Sequence, residues 1–146
     1  MEMNEVMLQL FMIHPLLLLQ SKESILPDEI EMNLLQWIWN RPEGIYYITN
    51  QCPTNYQDIQ SGSFHYWLLG IELLSNFRHW SDFAAGAISW LLDQRGEDGF
   101  WDYGQDASKI VFGHYSEFWK NRINRKIDCS TRILALIRKY KDRCIN

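Results

Sequence analysis

Four carboxylates lie close together between two apolar stretches of this chain. Glu97, Asp98, Asp102 and Asp106 fall within one short polar segment, and paired carboxylates are groups that act as general acid and general base in enzymes. The same residues are also typical of a solvated turn, because Asp98 precedes Gly99 in an Asp-Gly pair. We expect the turn, and an acid–base role for Glu97, Asp98 or Asp102 is the alternative.

A zinc site would need cysteine, histidine or carboxylate ligands at matched spacing. Asp128 and Cys129 are adjacent, and neighbouring residues on a helix point about 100° apart, so they are poorly placed to chelate one ion. His114 is the remaining candidate ligand. We expect Asp128 to cap the helix that it opens, and we expect no metal and no cofactor.

Nucleophilic and phosphate-binding motifs are also missing. The sequence has no Gly-x-Ser-x-Gly elbow and no glycine-rich phosphate loop. His14, His65 and His79 lie in apolar or aromatic surroundings, which is typical of packed or surface histidines. The residues therefore predict no catalytic side chain.

Helical periodicity dominates the elements that would position these residues. Apolar residues recur with helical spacing and predict helices at about 3–13, 27–40, 61–77, 81–94 and 128–143. Ser81 is the predicted N-cap of the fourth helix, and residues 44–49 are the single strand candidate. A chain of 146 residues is long enough for one domain with a core. The predicted fold class is all-α, with one domain over 1–146.

Two segments repeat the same order of residue types. Residues 37–47, WIWNRPEGIYY, and 91–101, LLDQRGEDGFW, both run from an apolar helix end through Asn or Gln, Arg, a helix breaker, Glu and Gly to aromatic residues. A polar loop and another apolar helix follow each segment. The repeat predicts two α-hairpin units, at about 28–77 and 81–143, each needing a neighbour to cover its apolar face.

The second segment resembles the QW motif of the terpenoid cyclase and protein prenyltransferase superfamily. Trp90, Gln94, Gly99 and Trp101 match the aromatic, glutamine, glycine and tryptophan positions of that motif. The first segment departs from it, with Asn40 in place of Gln and Tyr46 in place of Trp. The resemblance implies an α/α toroid, a squalene cyclase-like fold, and this chain has room for about half of one. We therefore expect a partial (half) toroid.

The resemblance also implies candidate ligand-binding residues. Aromatic side chains in this superfamily line a cavity and stabilise cations through their π faces; core packing is the alternative. The aromatic residues that cluster around the two repeated turns are Trp37, Trp39, Tyr46, Tyr47, Trp67 and Trp101. A cavity that they lined would suit an apolar small molecule.

The acidic motifs of the superfamily's enzymes, Asp-x-Asp-Asp and Asp-Asp-x-x-Asp, are absent. The expected function is therefore that of a non-catalytic prenyltransferase/squalene cyclase-like domain that acts by ligand binding or assembly. The alternative is an enzyme on the same scaffold that acts on an isoprenoid or a carbohydrate.

Charge is distributed unevenly along the chain. Residues 120–146 carry nine lysine and arginine residues against two aspartates, a net +7, whereas the preceding residues carry five basic and sixteen acidic residues, a net −11. Such a split can mark a polyanion site. The alternative, which we favour, is that the basic helix lies across an acidic surface of its own chain or of a second copy. We expect a homodimer or another protein partner, and no nucleic acid.

Cysteine content and the N-terminal segment bear on location and assembly. The three cysteines form no Cys-x-x-Cys pair, so we expect reduced thiols and a cytoplasmic protein. Polar residues and Pro15 interrupt the apolar N-terminal stretch, so it predicts a buried helix and no membrane span. An incomplete toroid leaves an apolar edge, and we expect a homodimer whose contacts include residues 1–19 or the 128–143 helix.

Overall fold

The computed structural model describes residues 26–45, 52–109 and 119–145. These ranges contain four α-helices: α1 Asp28–Trp39, α2 Gly62–Leu74, α3 Ser81–Asp93 and α4 Arg122–Cys144. Short 3-10 turns span Arg78–Trp80 and Gln105–Lys109, and the described ranges contain no strand. The all-α prediction is confirmed. The predictions for residues 1–19, for Tyr46 and Tyr47, and for His114 lie outside the described residues.

The N-terminus of α2 is fixed by a local capping residue, whereas the N-terminus of α3 is not. The Ser61 hydroxyl caps α2 by accepting a hydrogen bond from the Phe64 N–H at 3.2 Å. The predicted Ser81 cap of α3 is wrong, because the Arg78–Trp80 turn runs directly into the helix. Trp80 takes the capping position with helical dihedral angles and gives no side-chain hydrogen bond.

The last helix begins at Arg122 and not at Asp128 as predicted. The Asn121 side chain caps it, accepting a hydrogen bond from the Ile123 N–H at 2.9 Å. The predicted capping role of Asp128 is therefore wrong. The first turns escaped prediction because Ile123 and Ile127 are exposed and do not continue the inward apolar stripe that marks the rest of α4.

The core receives large side chains from all four helices and from the loop after α3. Leu34 and Ile38 of α1, Phe64 and Trp67 of α2, and Leu91 of α3 are almost completely buried. The buried residues of α4 include Cys129, Ile133, Leu136 and Ile137. Full burial of such aliphatic or aromatic side chains stabilises a fold by about 1.5–3 kcal/mol each. Helix α3 packs against both α4 and α1.

Candidate functional site

A tight turn follows α3 and forms the centre of the QW-like segment. The Gly96 N–H donates to the carbonyl of Phe100 at 2.8 Å, and the Gly99 N–H donates to the carbonyl of Gly96 at 2.9 Å. Gly99 has a φ of 82°, in the left-handed region that favours glycine. A Cβ atom at this position would meet no neighbour within 4 Å. Backbone conformation, and not crowding, therefore accounts for this glycine.

Trp101 joins the end of α3 to α4. Its side chain is 2% exposed, and its indole Nε1 donates to the carbonyl of Leu91 at 2.6 Å. Its backbone N–H donates to Ser130 Oγ at 3.0 Å. The Gln94 side chain forms no hydrogen bond with any residue that the structure describes. The fastening at the QW-like turn therefore comes from tryptophan.

Two of the four clustered carboxylates are held by basic side chains of α4. Arg125 donates two hydrogen bonds to the Asp102 carboxylate, one of 2.6 Å from Nε and one of 3.0 Å from a terminal guanidinium nitrogen. Partial burial acts to raise the pKa of Asp102, but the hydrogen bonds from Arg125 and from the Gly104 N–H outweigh it and lower that pKa. The side chain of Arg125 is only 4% exposed. Asp102 is therefore a structural counter-ion, and the prediction that it is solvated is wrong, although it accepts the turn hydrogen bond from the Gly104 N–H at 2.9 Å.

Asp98 forms the second of these ion pairs. It bonds Lys126 of α4, and this hydrogen bond lowers the pKa of the Asp98 carboxyl. Asp98 also accepts a hydrogen bond from the Phe100 N–H at 3.2 Å, as the predicted turn requires. Glu97, the preceding residue, is exposed. The turn prediction is correct for Asp98, and the pairing with α4 adds a contact that the local sequence did not indicate.

The two candidate zinc ligands, Asp128 and Cys129, are placed for other interactions. Asp128 accepts a hydrogen bond from the indole Nε1 of Trp119 at 2.5 Å. Cys129 is completely buried, and this burial raises the pKa of its thiol to about 12. Within residues 26–45, 52–109 and 119–145, no group of three or more histidine, cysteine or acidic side chains could hold a metal ion.

Most of the predicted ligand-binding aromatics that the structure describes lie in the core. Trp67 is 1% exposed, and its indole donates to the carbonyl of Pro53 at 2.9 Å. Its ring meets the ring of Trp90 edge to face at 5.1 Å, and Tyr56 stacks on Trp90 at 5.2 Å. Trp39 is also buried and packs near Phe83. These contacts form a closely packed aromatic cluster.

Trp37 differs from the other tryptophans in its surroundings. The Arg41 guanidinium lies 4.6 Å from the centre of its ring, a cation–π contact. Trp37 borders a surface groove of about 500 Å³, and the other residues that line it are Asn33, Gln36, Asn40, Arg41, Pro42 and Glu43. The described ligand-binding candidates are thus divided between this surface groove and the core. Ligand binding by these residues stays a prediction.

The basic side chains of α4 pair largely with other parts of the same chain. Arg132 forms two 2.6 Å hydrogen bonds with Glu72 of α2. Lys139 donates to Asn76 Oδ1 at 2.6 Å. Together with the Asp98 and Asp102 pairs, these contacts lay the basic helix across acidic and polar groups of its own chain. This is the arrangement that the charge asymmetry favoured.

One surface of α4 carries apolar side chains that sequence analysis overlooked. We call it the α4 apolar face, and its members are Ile123, Ile127, Thr131, Leu134 and Ala135, all exposed. The exposed fractions of Ile123, Ile127 and Leu134 are 67%, 48% and 52%. Their spacing places them on one side of the helix. The sequence does indicate these residues, because at helical spacing they lie on a different side of the helix from the buried stripe of Ile133 and Ile137.

Two grooves lie end to end along the α4 apolar face. The first has a volume of about 250 Å³ and is lined by Asp98, Phe100, Arg122, Ile123, Lys126 and Ile127. The second has a volume of about 470 Å³ and is lined by Thr131, Leu134, Ala135, Arg138, Lys139 and Asp142. Phe100 of the preceding turn is 44% exposed and extends the apolar surface. The face is therefore an elongated strip with a charged rim.

Comparison of the chain with family models, with curated proteins and with solved structures finds no significant match. Among the helices that the structure describes, none is both long enough and apolar enough to cross a membrane.

Proposed function

We propose that this chain is a non-catalytic helical assembly domain that forms a homodimer through the α4 apolar face. The observation that carries the proposal is the row of exposed Ile123, Ile127 and Leu134 along one helix. Contiguous exposed apolar surface of this kind marks interaction sites in soluble proteins. The use of Asp98 and Asp102 as counter-ions of α4 supports a structural role for the carboxylate cluster.

A second copy fits this face because a two-fold axis would set the apolar strip of one copy against the same strip of the other. Charges of both signs border the strip at each end: Asp98, Arg122 and Lys126 at the start of α4, and Arg138, Lys139 and Asp142 near its end. A two-fold axis brings the same patch of both copies together. Such pairing would cover the exposed isoleucine and leucine side chains of both copies at once.

In this proposal, the resemblance to the terpenoid cyclase and prenyltransferase superfamily concerns the helical scaffold and not an enzymatic activity. On this view the chain supplies part of an α/α toroid, with the QW-like turn fastening α3 to α4. The hydrogen bond from Trp101 to Leu91 supports a fastening role for the motif. Pairing of two copies would cover an apolar edge that an incomplete ring of hairpins leaves open.

The test is the oligomeric state of the full chain, measured by multi-angle light scattering over a range of protein concentrations. We expect a dimer of the 17.5 kDa chain, and we expect Ile127→Glu to shift it to monomer while helical content is retained. Leu69→Glu is the matched control, since Leu69 is an exposed apolar residue of α2, 40% exposed. A wild-type chain that is monomeric throughout, or a dimer that tolerates Ile127→Glu, would contradict the proposal.

A further inference from the structure

We infer that the surface groove beside Trp37 binds a neutral saccharide, with the indole against the C–H face of the sugar and the side-chain amides of Asn33 and Gln36 on its hydroxyl groups. We call it the α1 groove, because its lining belongs to α1 and to the turn that follows this helix. The inference goes beyond the proposed homodimer and does not depend on it, since the α1 groove and the α4 apolar face are built from different elements of the described chain.

The turn at the end of α1 holds the groove in shape. The Gly44 N–H donates to the carbonyl of Arg41 at 3.2 Å, and Gly44 has a φ of 63°, in the left-handed region. The Asn40 side-chain N–H donates to the Gln36 carbonyl at 2.8 Å. The Arg41 guanidinium in turn lies 4.6 Å from the centre of the Trp37 ring. The walls are therefore fixed before a ligand arrives, which lowers the cost of binding.

The charges in the α1 groove favour a neutral ligand. Arg41 and Glu43 are its two charged lining residues, and the Arg41 Nε lies 3.4 Å from a carboxylate oxygen of Glu43. An anion would meet the carboxylate, and a cation would meet the guanidinium. Opposite charges this close largely cancel at the distance of a ligand. The groove therefore differs from the basic sites that bind phosphate groups or nucleic acid.

Amides and an indole give this groove a lining that matches a sugar. The side chains of Asn33 and Gln36 form no hydrogen bond with any other residue that the structure describes, so each offers both a donor and an acceptor. Trp37 is partly exposed and supplies apolar ring surface beside them. A sugar carries C–H groups on one face of its ring and hydroxyl groups around its edge. A purely apolar ligand would leave the amides without partners.

The size of the α1 groove is also suitable. Its volume of about 500 Å³ lies within the range of small-molecule sites. The groove is formed by the first of the two repeated segments, in which Asn40 replaces the glutamine of the QW-like motif. The second segment buries its Trp101, whereas the first leaves Trp37 partly exposed among polar side chains. The two repeated turns therefore differ in role, and the first one presents a surface for a ligand.

Ligand-observed saturation-transfer NMR on the full chain tests the inference, with maltotetraose, cellotetraose and tetra-N-acetylchitotetraose as neutral probes. We expect at least one probe to bind and to receive saturation mainly on its ring C–H protons. Gln36→Ala should weaken binding about threefold to tenfold, because it removes a hydrogen-bonding partner. Gln105→Ala is the matched control, since Gln105 is an exposed glutamine outside the groove. Trp37→Ala should abolish the signal, and Trp37→Phe should retain part of it.

Two further measurements keep the outcome clear. Trp37 also packs against the core, so circular dichroism checks that its variants keep their helical content, and Gln36→Ala decides the test if they do not. No response from any of the three probes, or a response that Gln36→Ala leaves unchanged, overturns the inference. Stronger binding of a heparin tetrasaccharide or of acetyl-tetraproline amide overturns it as well, in favour of an anion or a peptide.

The monomeric variant separates this inference from the proposed function. Ile127→Glu should bind the saccharide probe as the wild-type chain does, because the substitution lies on the α4 apolar face. A wild-type chain that binds the probe but stays monomeric contradicts the proposed function alone. A wild-type dimer that binds none of the three probes contradicts this inference alone.

Discussion

The indole Nε1 of Trp101 lies 2.6 Å from the carbonyl oxygen of Leu91, to which it donates a hydrogen bond. Leu91 belongs to the last turn of α3, and its carbonyl oxygen also accepts a hydrogen bond from the Gln94 N–H at 3.2 Å. The indole N–H therefore uses the second lone pair of this carbonyl, and the bond satisfies the polar edge of a buried ring. The QW-like motif fastens a helix end in this protein, and this role gives the first prediction.

Replacement of Trp101 by alanine should lower the free energy of unfolding by about 3–5 kcal/mol, because it removes a large buried side chain and leaves a cavity. Trp101→Phe should cost less, since it keeps a smaller aromatic ring in the core and loses only part of the buried surface and the bond to Leu91. Leu92→Ala is the matched control, because Leu92 is 43% exposed. Urea unfolding measures all three variants. A loss below about 1 kcal/mol for Trp101→Ala would contradict the fastening role.

Replacement of Asp102 should leave the buried guanidinium of Arg125 without its counter-ion. Asp102→Ala leaves Arg125, with a side chain 4% exposed, without its two carboxylate contacts. We expect a loss of about 3 kcal/mol in the free energy of unfolding, as for other broken ion pairs of buried groups. Glu97→Ala, in the same loop, serves as the control because Glu97 is exposed. Both variants are measured at low protein concentration. Equal losses for the two variants would show that the Arg125 pair contributes little.

Acid should destabilise the protein through His65. Its side chain is buried beside Phe64 and Tyr103, and burial, together with the nearby charge of Arg132, lowers its pKa from 6.5 to about 4. The unfolded chain therefore binds a proton between these values that the folded chain does not, so stability falls as the pH drops from about 6.5 to about 4. The full effect is on the order of 3 kcal/mol.

Chemical denaturation at pH 7 and at pH 5 measures this loss. His65→Gln cannot take up the proton, so the difference in unfolding free energy between the two pH values should shrink in that variant, whatever its stability at pH 7. A variant that retained the full wild-type difference would show that other groups carry the acid sensitivity.

The three cysteines should differ in reactivity. Burial raises the pKa of Cys129 to about 12, and the thiolate is the reactive form. Cys144 is exposed and Cys52 is intermediate. With a thiol reagent such as dithionitrobenzoate at pH 8, we expect Cys144 to react first and Cys129 to react only when the chain unfolds. Cys129→Ser should leave the native-state signal unchanged. Reaction of Cys129 in the folded protein at the rate of Cys144 would contradict its burial.

The local sequence determined the helical class, the turn and one cap. Apolar residues at helical spacing predicted α1, α2 and α3 to within a few residues, because helix formation and the inward stripe depend on residues close in sequence. Gly99 was assigned to the turn for the same reason, since its positive φ is a property of the local backbone. The cap at Ser61 is also a local feature, although the caps predicted from the sequence were Ser81 and Asp128.

Only the tertiary structure decided the roles of the charged residues and of the tryptophans. Asp102 and Arg125 are far apart in sequence, and no local pattern states which cation a carboxylate will meet after the chain folds. For this reason the carboxylate cluster was interpreted as solvated, and the start of α4 was placed at Asp128. Trp67 was grouped with Trp37, although Trp67 lies in the core and Trp37 borders a surface groove. Periodicity shows that a residue belongs to a helix, whereas the position of the neighbouring elements decides whether its side chain is covered, paired or left on the surface.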